Sequence, residues 1–341
     1  MIRLLNDHRE LSILLLTVLL FLALGLTQPG FLGADSVGLI FKNTLVLMVV
    51  AVGAAAVILT RGIDVSLGSV LGLSAVSLGL LLQHGTALPL AIVTTLGVGT
   101  LAGLVNGLIV TLLQVPPIVA TLGTLGVYRG LTLILSGGKW IENLPDNVKA
   151  LSQPGPLGIS VTVVLAVTLL VLVAVFLRFT AAGRSLYATG DNPAGAELLG
   201  IRPGVVQASA FMLAGLCAAV GGIIFAAQIG FIPSQAGSGI ELRAIAASVI
   251  GGISLQGGVG TVVGAALGAF FLTSVDSFLV FLKVPAYWND MVAGLILLLV
   301  LVLDARLRER VTRALRLQRY ARREEAPTSL RTDLPADRGS L

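Results

Sequence analysis

Long apolar runs recur along the chain, separated by short polar or glycine-bearing stretches, and each run is close to the length that a membrane crossing needs. A helix spans the hydrocarbon core in about 20 residues. On that measure the pattern predicts ten crossings, at 11–27, 37–59, 65–83, 87–113, 116–136, 160–177, 205–229, 242–255, 260–282 and 287–303. The eighth is short and the third and fifth are irregular, so a count of eight or nine also fits. The expected fold is an all-α polytopic membrane protein of about ten transmembrane helices over residues 1–303. No small-residue cleavage site follows Leu26, and many spans come after it, so the first run reads as an uncleaved helix.

The interruptions carry the chemistry. The longest charged island inside the apolar part is 178–204, RFTAAGRSLYATGDNPAGAELLGIRPG, with Arg178, Arg184 and Arg202 against Asp191 and Glu197. Asp191-Asn192-Pro193 reads as the cap and first position of a short helix, with Asp191 as the cap. Ala194, Ala196, Leu198 and Leu199 give that helix an apolar face, and Gly200 ends it. Gly190 and Gly200 are expected at positive φ, where β-branched residues are resisted. Short basic loops stay in the cytoplasm. With Arg3 and Arg9 inside, six crossings return this loop to the cytoplasm and ten return the C-terminus.

Two further breaks stand out. LTRGIDVSLGSVLG (59–72) sets Arg61 and Asp64 where one crossing turns into the next, which predicts a broken helix. Asp64 and Ser66 have two readings: a gate or pathway position, or a capped helix start in which Asp64 accepts from backbone N–H groups, Ser66 or Arg61. AIAASVIGGISLQGGVGTVVG (244–264) is the second glycine-rich break. Gly99, Gly103 and Gly107 repeat every fourth residue in crossing four, as Gly260, Gly264 and Gly268 do in crossing nine. These crossings run in opposite directions, as an inverted repeat requires. Asn106, Gln228, Asp276, Asn289 and Asp290 are polar groups in apolar surroundings, suited to lining a passage or to holding helices together. Asn106 and Asp276 are expected to lie deepest.

Composition agrees with the pattern. The chain of 341 residues is 56% hydrophobic and 11% charged, against about 25% charged in soluble domains. The charge is uneven: residues 304–341 hold ten arginines against six carboxylates, a surplus of four out of a net +5. A basic tail that close to the last crossing fits retention at the cytoplasmic leaflet better than nucleic-acid binding, and the tail is expected to be partly disordered. The lone Cys217 excludes a disulfide within the chain. The sequence holds no Ser/His/Asp set, no metal-ligand cluster and no carboxylate pair, and His8 and His84 lie at helix edges. Gly137-Gly138-Lys139 is followed by Trp140, and no Gly-x-x-x-x-Gly-Lys-Ser/Thr occurs. No catalytic role is therefore expected, and ATP is not bound by a P-loop here.

Four segments together resemble one family: GIDVSLGS, PPIVATLGTLGVYRGLTLILSGG (116–138), GRSLYATGDNPAGAELLGI and AIAASVIGGISLQGGVG. In this order they are similar to the permease subunits of bacterial ABC sugar importers of the ribose type, over nearly the whole chain. GGKWIENLP (137–145), QIGFIPSQAGSGIEL (228–242), LTSVDSFLVFLKVPAYWNDMVAGL (272–295) and the tail from Leu303 resemble the autoinducer-2 import branch of that family, its C-type permease subunit. The resemblance implies a multi-pass protein of the bacterial inner membrane with both termini cytoplasmic. It also implies partners: a second permease, making a heterodimer, two cytoplasmic ATPase subunits and a periplasmic binding protein. ATP and Mg would then be held by the ATPase, with no cofactor in this chain. Gly190, Asp191, Asn192, Pro193, Glu197 and Gly200 would form the part that docks on the ATPase, and Asp64, Ser66, Asn106, Asp276 and Asn289 would line the pathway or its gate. The expected cargo is autoinducer-2. Ribose or another monosaccharide is the alternative within the family, and a secondary ion-coupled transporter using Asp64 and Asp276 is the alternative outside it.

Overall fold

In the computed structural model, which describes residues 9–155, 158–285 and single positions as far as 298, the apolar runs fold as helices. They are α1 (Arg9–Thr27), a 3-10 turn (Pro29–Leu32), α2 (Ala34–Leu59), α3 (Leu67–Gln83), α4 (Leu88–Leu112), α5 (Pro117–Ser136), the short α6 (Asp146–Ala150), α7 (Val161–Phe179), α8 (Ala181–Asp191), α9 (Pro193–Leu198), α10 (Pro203–Ile229), α11 (Ile240–Ile250) and α12 (Val262–Phe281). Six of these, α2, α4, α5, α7, α10 and α12, are long and apolar enough to cross a membrane, and the stretches Ile13–Leu26 and Leu67–Gln83 are shorter apolar helices.

The ends follow local chemistry. Proline begins α5, α9 and α10, where a missing N–H costs nothing. The hydroxyls of Ser160, Thr180 and Thr261 accept N–H groups from the first turns of α7, α8 and α12.

One predicted crossing changes. The eighth, expected at 242–255, is the eleven-residue α11, which rises only about 16 Å, roughly half of a ~30 Å hydrocarbon core. The chain before it, 230–239, runs without regular helix and supplies the rest of the depth. The predicted tenth crossing, 287–303, falls largely outside the described residues, and the tail 304–341 wholly so.

Helices α2 and α10 form the centre. Both are apolar on nearly every face and largely buried, as a helix enclosed by others must be. They touch at small residues: a Cβ on Gly53 would stand 2.8 Å from the Cys217 Cβ. Around this pair the packing crosses over. Helices α3 and α4, from the first half, pack on α10 of the second, and α11 and α12, from the second half, pack on α2 of the first. An inverted repeat with exchanged partners produces this arrangement. Accordingly α4 ends and α12 begins at the same end of the molecule, where Gly107 meets Ala208 and Gly258 meets Asp191.

The two glycine stripes differ from expectation in one member. Gly99, Gly103 and Gly107 do face α10, and Gly264 and Gly268 face Gly251 and Ala247. Gly260 precedes α12 and has φ +124°, so it belongs to the turn before the helix rather than to its stripe.

Candidate functional site

The loop 178–204 folds as two short helices whose positions are fixed by hydrogen bonds. The Thr180 hydroxyl accepts from Gly183 N–H at 2.9 Å to start α8. The Asn192 side chain accepts from Gly195 N–H at 3.0 Å to start α9. The cap of α9 is therefore Asn192, not Asp191, which is the last residue of α8. The reason lies in Pro193: a proline at the first helical position makes its immediate predecessor the cap. At the other end Ile201 N–H donates to the Ala196 carbonyl at 3.1 Å, and Gly200 has φ +78°, the left-handed conformation that ends many helices.

The expected apolar face of α9 divides. Ala196 is buried, whereas Leu198 and Leu199 are 90% and 79% exposed, and Glu197 is exposed beside them. Two leucines thus form an apolar tip standing clear of the rest.

Beneath that tip, three distant parts of the chain meet. Arg61, in the left-handed region at φ 64°, donates from Nε to the Gly190 carbonyl at 2.6 Å and from Nη2 to the Asp191 carbonyl at 2.7 Å. It thereby covers the carbonyl end of α8, where a cation is favoured. Gly258 N–H donates to the Leu59 carbonyl at 2.9 Å, and the Tyr187 hydroxyl donates to the Gly260 carbonyl at 3.0 Å. Gly190 is helical, not at positive φ as expected. It is required by space, since a Cβ there would overlap the Leu59 carbonyl oxygen. Both glycine-broken segments of the sequence are thus tied to the loop.

The break at 60–66 is held from behind by a closed polar network. The Asp64 carboxylate accepts from Ser66 N–H at 2.8 Å and from its hydroxyl at 2.6 Å. Asn106 Nδ2 on α4 donates to the Ser66 hydroxyl at 2.7 Å, and the Tyr128 hydroxyl on α5 donates to Asn106 Oδ1 at 3.1 Å. Asp64, Ser66 and Asn106 are all buried. Of the partners open to Asp64, the structure selects Ser66, through both its N–H and its hydroxyl, while Arg61 turns to the loop; Asn106, not foreseen as a partner, adds a longer contact at 3.5 Å. In this conformation the three residues fasten the broken helix to α4 and α5.

Asp276 stands apart from them, ion-paired with Arg243. The pair lies in the wall of a cavity of about 810 Å³ bounded by α2, α10, α11 and α12, at the end remote from the loop. Lys42, Asn43, Thr273 and Ser277 also line it. Gln228 makes the helix contact, its Nε2 donating to the Lys42 carbonyl at 2.8 Å, and it borders the cavity. Asn289 and Asp290 lie outside the described residues.

Arg129 was not singled out from the sequence. Its Nη1 donates to the Ala236 carbonyl at 2.7 Å, fixing the non-helical segment 230–239 against α3, where Gly72 leaves room for it. Glu241 supplies the nearby opposite charge. A lone arginine in an otherwise apolar crossing was the available signal, because ionisable groups at that depth need partners.

The chain matches, over residues 37–301, the family described as branched-chain amino acid transport system / permease component. It is 50% identical over 339 residues, 99% of this chain and 98% of the relative, to the autoinducer 2 import system permease protein LsrC of Escherichia coli O9:H4 (strain HS). It is 51% identical over 333 residues, 98% of this chain and 96% of the relative, to the protein of that name in Salmonella typhi. The one from Shigella flexneri is 50% identical over 99% of this chain and 98% of its own length. No solved structure matches.

Proposed function

The chain belongs to the family of branched-chain amino acid transport system permease components, and from that premise we propose that it is the membrane-spanning subunit of an ABC importer that passes autoinducer-2 into the cytoplasm. The observation that carries the cargo is the half-identity, over essentially the full length of both chains, to relatives named for autoinducer 2 import. The absence of a P-loop sequence supports an energy source on another chain.

In this reading the loop end of the molecule is cytoplasmic and the cavity end periplasmic, in keeping with the arginines of 178–204. Leu198 and Leu199 insert into an ATPase subunit that holds ATP and Mg, and Glu197 borders that contact. Arg61 and Tyr187 carry its displacement to the two breaks, because they join α8 to the turn after α2 and to the turn before α12, and the Gly258 N–H ties those two turns together at the Leu59 carbonyl. Asp64, Ser66 and Asn106 keep the first break in one of its arrangements. A second permease, giving a heterodimer, a second ATPase and a periplasmic binding protein complete the transporter.

Uptake by the assembled transporter in vesicles tests this. ATP-dependent accumulation of autoinducer-2 is expected. Accumulation of ribose but not autoinducer-2 would overturn the cargo, and uptake driven by an ion gradient without any ATPase would overturn the energy source.

A further inference from the structure

We propose that the cavity between α2, α10, α11 and α12 is a subsite for a small polyol, in which the Arg243–Asp276 pair takes a vicinal diol of the passing cargo. The proposal rests on the importer reading above and adds the place in this chain where cargo is held.

Depth comes first. Asp276 is the fifteenth residue of α12, about 21 Å along its axis from the end that adjoins the loop. An ion pair so far into the membrane-spanning part is stable only against protein or water. The two side chains keep 26% and 16% of their surface accessible, and that surface opens to the cavity. The volume, about 810 Å³, falls within the range of roughly 300–1,000 Å³ of small-molecule sites.

The chemistry of the lining narrows the occupant. A guanidinium only donates and a carboxylate only accepts, whereas a hydroxyl does both. Two adjacent hydroxyls can accept from Arg243 and donate to Asp276 together, leaving the pair intact. An anion seated on Arg243 would stand against the Asp276 carboxylate beside it, a repulsion that a neutral hydroxyl does not meet. A cation would meet Lys42 as well as Arg243, two positive charges against one negative. An amino acid carries its ammonium into that same excess. Asn43, Thr273 and Ser277 are neutral groups that match further hydroxyls, and Phe31 and Phe225 in the same wall suit the C–H faces between them.

A single-site reporter tests the assignment. The native Cys217 is fully buried, so Ser277→Cys adds one reactive thiol in the full chain within its transporter. A water-soluble maleimide should label it, and millimolar autoinducer-2 should slow labelling at least five-fold while leucine does not. In the R243Q/D276N double variant, which removes both charges together, the half-protecting concentration of autoinducer-2 should rise at least ten-fold. Absence of labelling, protection by leucine equal to that by autoinducer-2, no protection by either autoinducer-2 or ribose, or unchanged protection in the double variant would each overturn the subsite. Protection by ribose alone would support the subsite and overturn the autoinducer-2 cargo.

Discussion

Arg61 shows how much one side chain does in this molecule. It occupies a backbone region at φ 64° that costs a non-glycine residue about 1–3 kcal/mol, and it stays there while holding two carbonyls of α8. Charge-assisted hydrogen bonds are worth about 1.5–3 kcal/mol each. Arg61→Gly removes the backbone strain and the anchor together, so the two explanations separate: uptake should fall at least ten-fold with the subunit still inserted. Wild-type uptake in Arg61→Gly would mean that the arginine serves only the turn. Gly190 and Gly200, alike in the sequence, should also differ. Gly190→Ala forces a Cβ onto the Leu59 carbonyl, whereas Gly200→Ala meets open space and bears only the cost of positive φ, about 1–2 kcal/mol. Thermal unfolding and uptake should both be more impaired in Gly190→Ala. The trio Asp191-Asn192-Pro193 made the start of a helix legible, but its cap, read as Asp191, is Asn192, the residue directly before the proline. That Gly190 answers to crowding was not legible, because the neighbour that crowds it, Leu59, lies far away in the sequence.

At the scale of elements, what sets this chain apart from a plain bundle is the half-length α11 and the non-helical, turn-rich segment before it. Segment 230–239 lies against α3 because Gly72 leaves no side chain in the way and Arg129 holds the Ala236 carbonyl. Gly72→Val should therefore block seating of the segment and abolish uptake with a marked loss of thermal stability. Gly126→Val on α5, where nothing lies within 4 Å of a Cβ, should leave the stability of the isolated subunit nearly unchanged. Equal destabilisation by the two would contradict the seating. Hydrophobic run length made the long helices readable to within a few residues: 37–59 was expected and Ala34–Leu59 found, 205–229 expected and Pro203–Ile229 found. At 242–255 it placed the start within two residues of Ile240 but overran the end, because Gly251, Gly252 and Ile253 continue the small, apolar composition past Ile250, where the helix stops. The gate candidates divided for a related reason. Asp64, Ser66 and Asn106 came together because a buried carboxylate must be satisfied, while Asp276 found Arg243 on another helix, a pairing that spacing along the chain does not encode.

Over the whole molecule the two halves exchange partners, so that α2 and α10 are each enclosed by helices of the other half. A displacement at one end of such a pair reaches both halves at once. The loop 178–204 sits at that end, tied to the break after α2 through Arg61 and to the break before α12 through Tyr187, while the Gly258 N–H joins the two breaks at the Leu59 carbonyl. The parallel between crossings four and nine, read from glycine spacing, correctly anticipated opposed halves, but it gave no sign that α4 and α12 would each pack on the long helix of the other half.

The central claim is that the Leu198–Leu199 tip delivers the work of ATP hydrolysis to this chain. It is tested most directly by ATP-driven autoinducer-2 accumulation in vesicles holding the complete transporter, with the wild-type chain or with Leu198→Asp and Leu199→Asp together. Both leucines are exposed in the isolated subunit, so its folding should be unaffected. The account predicts that accumulation falls to background and that the ATPase no longer co-purifies. Accumulation at the wild-type rate in that variant would contradict it.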